Sequence, residues 1–263
     1  GVPGPDDSHP LHGELPNAPY QSASIVVGAD EKGEFIGLTG TYRHTVAFNY
    51  NYAATPFVKL YAGSSIFTVS MTIRNMKASP MPLMFLEHVN FMPVDGGRQA
   101  QTVVCNPEHM RVRANIPSFM EVAPSYRKFV KLLQEHPEKC LIFNPDLVYD
   151  PEIVFFLDYL ADEGGWARTM QIHPDGSADL LRHRPDQLSR GLRWICRTAD
   201  QDAVGIEPCT AEGEGFTAEK RKGNVRSLPG GETFTSLLEV GVLTVDETQR
   251  EEMLIDQVLA RQK

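Results

Sequence analysis

The sequence predicts an all-β fold: a large antiparallel β-sandwich with one inserted helix and one C-terminal helix. Three observations predict it. Short runs rich in Val, Ile, Phe, Tyr and Thr recur from Ser22 to Val245, separated by turn residues. Helical periodicity marks residues 124–136 and 246–263. A chain of 263 residues, 41% hydrophobic and 22% charged, can bury a core of useful size as one domain.

In chain order, residues 1–20 read as loop, because five prolines before Tyr20 break regular structure. Strands follow at 22–29, 34–52, 57–63 and 65–75, with Asp30–Gly33 and Ala62–Ser65 as hairpin turns. The stretch Thr72–Pro93 reads as a strand, a turn through Lys77 and Pro80, and a second strand. That second strand places Leu83, Phe85, Glu87, Val89 and Phe91 on one face and Met84, Leu86, His88 and Asn90 on the other. Residues 98–106 form a further strand candidate. Pro124 and Ser125 suit a helix start, Phe129, Leu132 and Leu133 keep helical spacing, and His136-Pro137 ends the helix. Strands resume at 140–145, 152–160, 166–174, 178–184, 191–199 and 203–210. Lys220–Asn224 reads as a charged loop, residues 228–232 as a turn and 233–245 as a long closing strand. The last helix is expected to turn Met253, Leu254 and Val258 inward.

Composition limits the partners. A net charge of −9 argues against nucleic-acid backbones and anionic membranes, and it suits a neutral small ligand. No run of about 18 apolar residues suggests a membrane span, and no signal peptide is read in the chain. The chain opens at Gly1-Val2-Pro3 without methionine, which reads as a trimmed or processed N-terminus. Cys105, Cys140, Cys196 and Cys209 form no C-x-x-C pair, so they read as free thiols of a reducing, cytoplasmic compartment. A homo-oligomer stays open.

Two polar features stand out. His88 and Asn90 share a strand face at the end of an apolar run, where polar groups find partners or do chemistry; a satisfied core histidine is the competing reading. Glu207 sits in the apolar strand AVGIEP, which suits an edge or a polar cleft. His9, His12 and Glu14 offer an H-x-x-H pair with an acid, a weak metal pattern because a loop fixes no register. A metal is not expected at this loop.

Four motifs in order resemble the galactose mutarotase-like superfamily, the proteins related to aldose 1-epimerases. They are Pro10-Leu-His12-Gly13, Glu87-His88-Val-Asn90-Phe91, Gly205-Ile-Glu207-Pro208 and the Leu-Pro-Gly-Gly-Glu turn at 228–232. The resemblance runs from about His9 to Val245. It implies a β-supersandwich with a sugar in a cleft on its concave face, and one domain over 1–263, with missing N-terminal strands as the alternative. It implies anomer interconversion with Glu207 as base, His88 as acid and His12 holding the sugar's oxygens, and no metal or organic cofactor, because every step is a proton transfer. Asp150, with Asp158 as runner-up, is expected to hold hydroxyls; Asn90 to orient His88 or bind a hydroxyl; Trp194 to supply an apolar platform or pack in the core. Arg193 falls on the opposite strand face.

Two departures from the family stand beside these. Glu14 occupies a place commonly held by arginine, and no arginine precedes His12. The rivals are a non-catalytic sugar-binding module on the same fold and a metal-dependent sugar isomerase or lyase.

Overall fold

The computed structural model describes residues 10, 12–116 and 121–262. These form two compact units, residues 1–84 with 214–241 and residues 85–213 with 242–263.

The first unit contains β1 (Ser22–Asp30), β2 (Gly33–Thr45), β3 (Asn51–Tyr61), β4 (Ile66–Asn75) and β5 (Met81–Leu83). Strands β1 to β4 follow one another antiparallel. The run expected at 34–52 breaks at residues 46–50, where the chain turns between β2 and β3. The turn at 228–232 has a steric reason. A Cβ on residue 230 would lie 2.2 Å from the Ala78 carbonyl oxygen, so only glycine lets the two turns approach. Asn75, fully buried, donates from Nδ2 to the carbonyls of Leu228 and Ser79 and ties the turns together.

The second unit contains β6 (Val89–Phe91), β7 (Arg98–Gln101), β8 (Met110–Val112), α1 (Pro124–Glu135), β9 (Ile153–Leu157), β10 (Ala167–Ile172), β11 (Ala178–His183), β12 (Arg190–Arg197) and β13 (Asp202–Cys209). Strands β6, β13, β12, β9 and β8 form one antiparallel sheet in that order, and β10 pairs with β11 and β7. One face of the five-stranded sheet carries Ile153, Phe155, Leu157, Ile195 and Val204, packed against Phe129 and Leu133 of α1. Burying each such large side chain contributes about 1.5–3 kcal/mol, which fixes the sheet on that side.

The last elements are α2 (Phe216–Lys222), β14 (Arg226–Leu228), β15 (Thr233–Leu243) and α3 (Val245–Ala260). In the first unit β14 pairs with β5, and β15 pairs with β4. Three expectations need correction. The charged stretch at 220 is the end of helix α2, closed by Gly223 in the left-handed conformation. Residues 140–145 form no strand, because a 3-10 turn occupies Pro137–Cys140 and only Ile142 bridges to Arg98. Met253 and Leu254 are exposed, while α3 buries Ile255 and Val258 together with Glu251. The physical reason is that Glu251 is ion-paired to Arg168 and Arg182. Thr244 and Glu247 close a reciprocal capping box at the start of that helix. No helix is long and apolar enough to cross a membrane among the described residues. All four cysteines are free.

Candidate functional site

The second strand expected within Thr72–Pro93 is not continuous. Its first part pairs with β14, and its second part follows β13. Leu86 bridges Cys209, Glu87 N–H donates to the Pro208 carbonyl, and Val89 pairs with Ile206. This register sets His88 beside Glu207.

The other face of the sheet follows from strand alternation, and on it Glu207 sits among the apolar Val154, Phe156 and Leu192. Glu207 lies opposite Leu192, and Trp194 opposite Gly205 and Val154. Asn90 lies opposite Gly205, so it shares this face. His88 Nε2 is 3.3 Å from Glu207 Oε1. That contact is an ion-pair approach without hydrogen-bond alignment, and Oε1 accepts no hydrogen bond within the described residues. The His88 ring meets Trp194 edge-on at 5.9 Å. Trp194 also packs against Val154, Phe156 and Leu192, so it serves both the core and the site wall.

Glu207 is buried, with its side chain 6% exposed. Burial pushes its carboxyl up to about 7; the Glu152 charge adds to the rise, and Arg193 opposes it. A carboxyl poised there can both take and return a proton near neutral pH.

Glu152 is the acid that sequence reasoning missed. Trp194 Nε1–H donates to Glu152 Oε2 at 2.6 Å, and Arg113 ion-pairs with Oε1. Asp150, two residues earlier, is exposed beside the cis Asp150–Pro151 bond. Asp158 pairs with Arg111 at 2.7 Å, with His109 at 3.5 Å and with Arg190 at 3.8 Å. It lines a separate cleft of about 380 Å³. His12 lies in a turn of the first unit with φ 65°. His9, the other histidine of the metal pattern, falls outside the described residues.

The structure thus brings His88, Glu207 and Trp194 together, with Asn90 on the same face and Glu152 as an unforeseen member. The only sequence signal for Glu152 was an acid opening an apolar strand.

The chain is similar to a candidate aldose 1-epimerase from Klebsiella pneumoniae, with 18% identity and a TM-score of 0.79. The match covers 94% of this chain and 61% of that one, so this chain spans about three fifths of that protein's length. It is similar to a galactose mutarotase-like protein from Clostridium acetobutylicum, with 13% identity, TM-score 0.54 and coverage of 84% and 66%. A galactose mutarotase-like protein from Lactobacillus casei matches at 15% identity and TM-score 0.50, covering 83% of this chain and 73% of that one. No curated protein matches. At these identities the likeness establishes the fold, which is galactose mutarotase-like. Residues 1–242 match the family model described as Domain of unknown function (DUF4432), and the chain belongs to that family.

Proposed function

We propose that the protein interconverts the anomers of a sugar by general acid–base catalysis, as an aldose 1-epimerase-type isomerase. The observation that carries this reading is the His88–Glu207 pair, 3.3 Å apart on one sheet face beside Trp194. A pyranose seated there presents its anomeric hydroxyl to Glu207 and its ring oxygen to His88. Glu207 takes the hydroxyl proton while His88 gives a proton to the ring oxygen. The C1–O5 bond breaks and C1 becomes a carbonyl. Rotation about C1–C2 and the reverse transfers close the other anomer. Each step moves only protons and the C1–O5 electron pair, so side chains supply all of the chemistry.

Trp194 offers an apolar wall to the sugar, and Asn90 and Glu152 offer hydroxyl partners. His12 is assigned to the sugar's oxygens from the order of the sequence motifs alone. The fold of the aldose 1-epimerase and mutarotase-like proteins supports the reading, and so does a Glu207 carboxyl near neutrality.

The test is anomer exchange, followed by polarimetry or NMR over neutral hexoses and pentoses, in the wild type and in Glu207→Gln. The variant should lose about 10²-fold or more of the rate while retaining sugar binding. Wild-type exchange no faster than buffer for every sugar that binds would favour a binding module. Activity lost to a chelator and restored by one divalent metal would favour the isomerase rival.

A further inference from the structure

The sheet of the first unit has an apolar face that is covered on one side and open on the other. Register places Leu238, Val69, Val58, Leu38 and Ile25 in one row across β15, β4, β3, β2 and β1. The next row on the same face holds Val240, Phe67, Leu60, Ile36 and Val27. At β15 both rows are core: Leu238 is 0% exposed and Val240 4%. At β2 Leu38 is 59% exposed and Ile36 52%, and at β1 Ile25 reaches 70% and Val27 80%. Single exposed apolar side chains are ordinary; two aligned rows that stay apolar after leaving the core mark a surface that something covers.

The rest of the face agrees. Ala23, Ala29, Gly40 and Pro56 continue it along β1, β2 and β3, and Glu34 stands at its rim. The reverse face of the same strands is of another kind: Asp30 and Lys59 pair there at 2.9 Å, and the Lys59 ammonium lies over the Phe35 ring.

We propose that the open part of the apolar face is the interface of a homodimer, in which a second copy packs its own β1–β3 face against it, sheet on sheet, about 10 Å apart. The inference rests on this face alone and not on the proposed activity.

The occupant has to be apolar, uncharged where the rows run, and shaped to a sheet. The same face of a second molecule is all three, and a two-fold axis makes such a patch its own complement. The chain as a whole carries a charge of −9, yet none of it stands on the rows to repel the second copy. The exposed side chains of the rows present roughly 500 Å² per copy. Two copies therefore remove about 1,000 Å² of apolar surface before the rim is counted, which is where specific interfaces begin.

The experiment is sedimentation equilibrium of the wild type from about 1 to 100 μM, the range that suits an interface at the small end. The mass should rise with concentration from 29.3 kDa toward twice that value. Val27→Lys and Leu38→Lys each place a charge in the interface and should weaken association by about 10²-fold or more. Ser24→Lys, on the reverse face of β1, should leave it unchanged. A wild type that stays monomeric at 100 μM overturns the inference, and so does a dimer that both lysine variants leave intact. If either lysine variant does not fold, the wild type alone decides. The methyl resonances of Ile25 and Ile36, assigned by Ile→Val substitution, should shift across the dilution series, and unmoved resonances also overturn the inference.

Discussion

Gly205 and Glu207 form a steric pair on one face of β13: a Cβ on residue 205 would lie 2.3 Å from Glu207 Oε1 and 3.2 Å from Trp194 Cβ. Glycine at this place lets the carboxylate fold back along its own strand and lie beside His88. Gly205→Ala should therefore push the carboxylate out of place while the strand still forms. Anomer exchange should drop by about 10²-fold, the cost of a small misplacement of a reacting group. Rates measured beside a crystal structure of the variant check this; full activity with an unmoved carboxylate would reject it.

Glu207→Gln carries a stability signature separate from catalysis. Folding raises the carboxyl from 4.5 to about 7. The folded state thus holds the proton more tightly, so the group's contribution is intact below about pH 4.5 and is lost as pH rises through 7. Glu207→Gln should match the wild type near pH 4 and exceed it at pH 8, by an upper bound of about 3 kcal/mol. Urea denaturation at the two pH values reads the difference.

Much of this molecule was legible in the sequence, and the gaps have physical causes. Strand alternation set His88 and Asn90 on one face, and Glu207 stood out as an acid in an apolar strand. Glu152 was not legible, because its partner Trp194 reaches it through the β9–β12 register across 42 residues. Glu251 broke the inward pattern of α3 because its arginine partners, Arg168 and Arg182, sit on distant strands. Helix α2 was missed because seven residues bounded by Gly215 and Gly223 carry little periodicity. Pattern reading sees faces; it does not see which distant strand supplies the counter-charge.

Glu152→Gln tests the acid that raises Glu207. Removing that negative neighbour should let Glu207 ionise at lower pH. The acidic limb of the exchange rate should move down by about half a unit to one unit. Arg113 loses its ion pair, so a modest loss of stability is expected as well. The pH–rate profile of the variant decides the matter; a limb at the wild-type pH would show that Glu152 does not reach Glu207 electrostatically.

His183 should set the acid limit of stability. It is 0% exposed, and neither ring nitrogen has a hydrogen-bond partner among the described residues. Its ring meets Tyr159 edge-on at 4.6 Å. Burial pushes it down to about 3 from an ordinary 6.5. The sign is opposite to that of Glu207: the neutral form belongs to the folded state, so stability is intact above about pH 6.5 and is lost as pH falls toward 3. The slope from this one group is at most about 1.4 kcal/mol per pH unit. His183→Leu removes the proton site and two unsatisfied nitrogens while leaving an apolar side chain in an apolar place. It should therefore hold stability near the wild-type value at pH 7, since replacing an unpartnered polar group by an apolar one costs little. Between pH 6 and 4 its stability should fall less steeply than that of the wild type. Urea midpoints at pH 7, 5 and 4 give both slopes, and equal slopes would assign the acid limb to other groups.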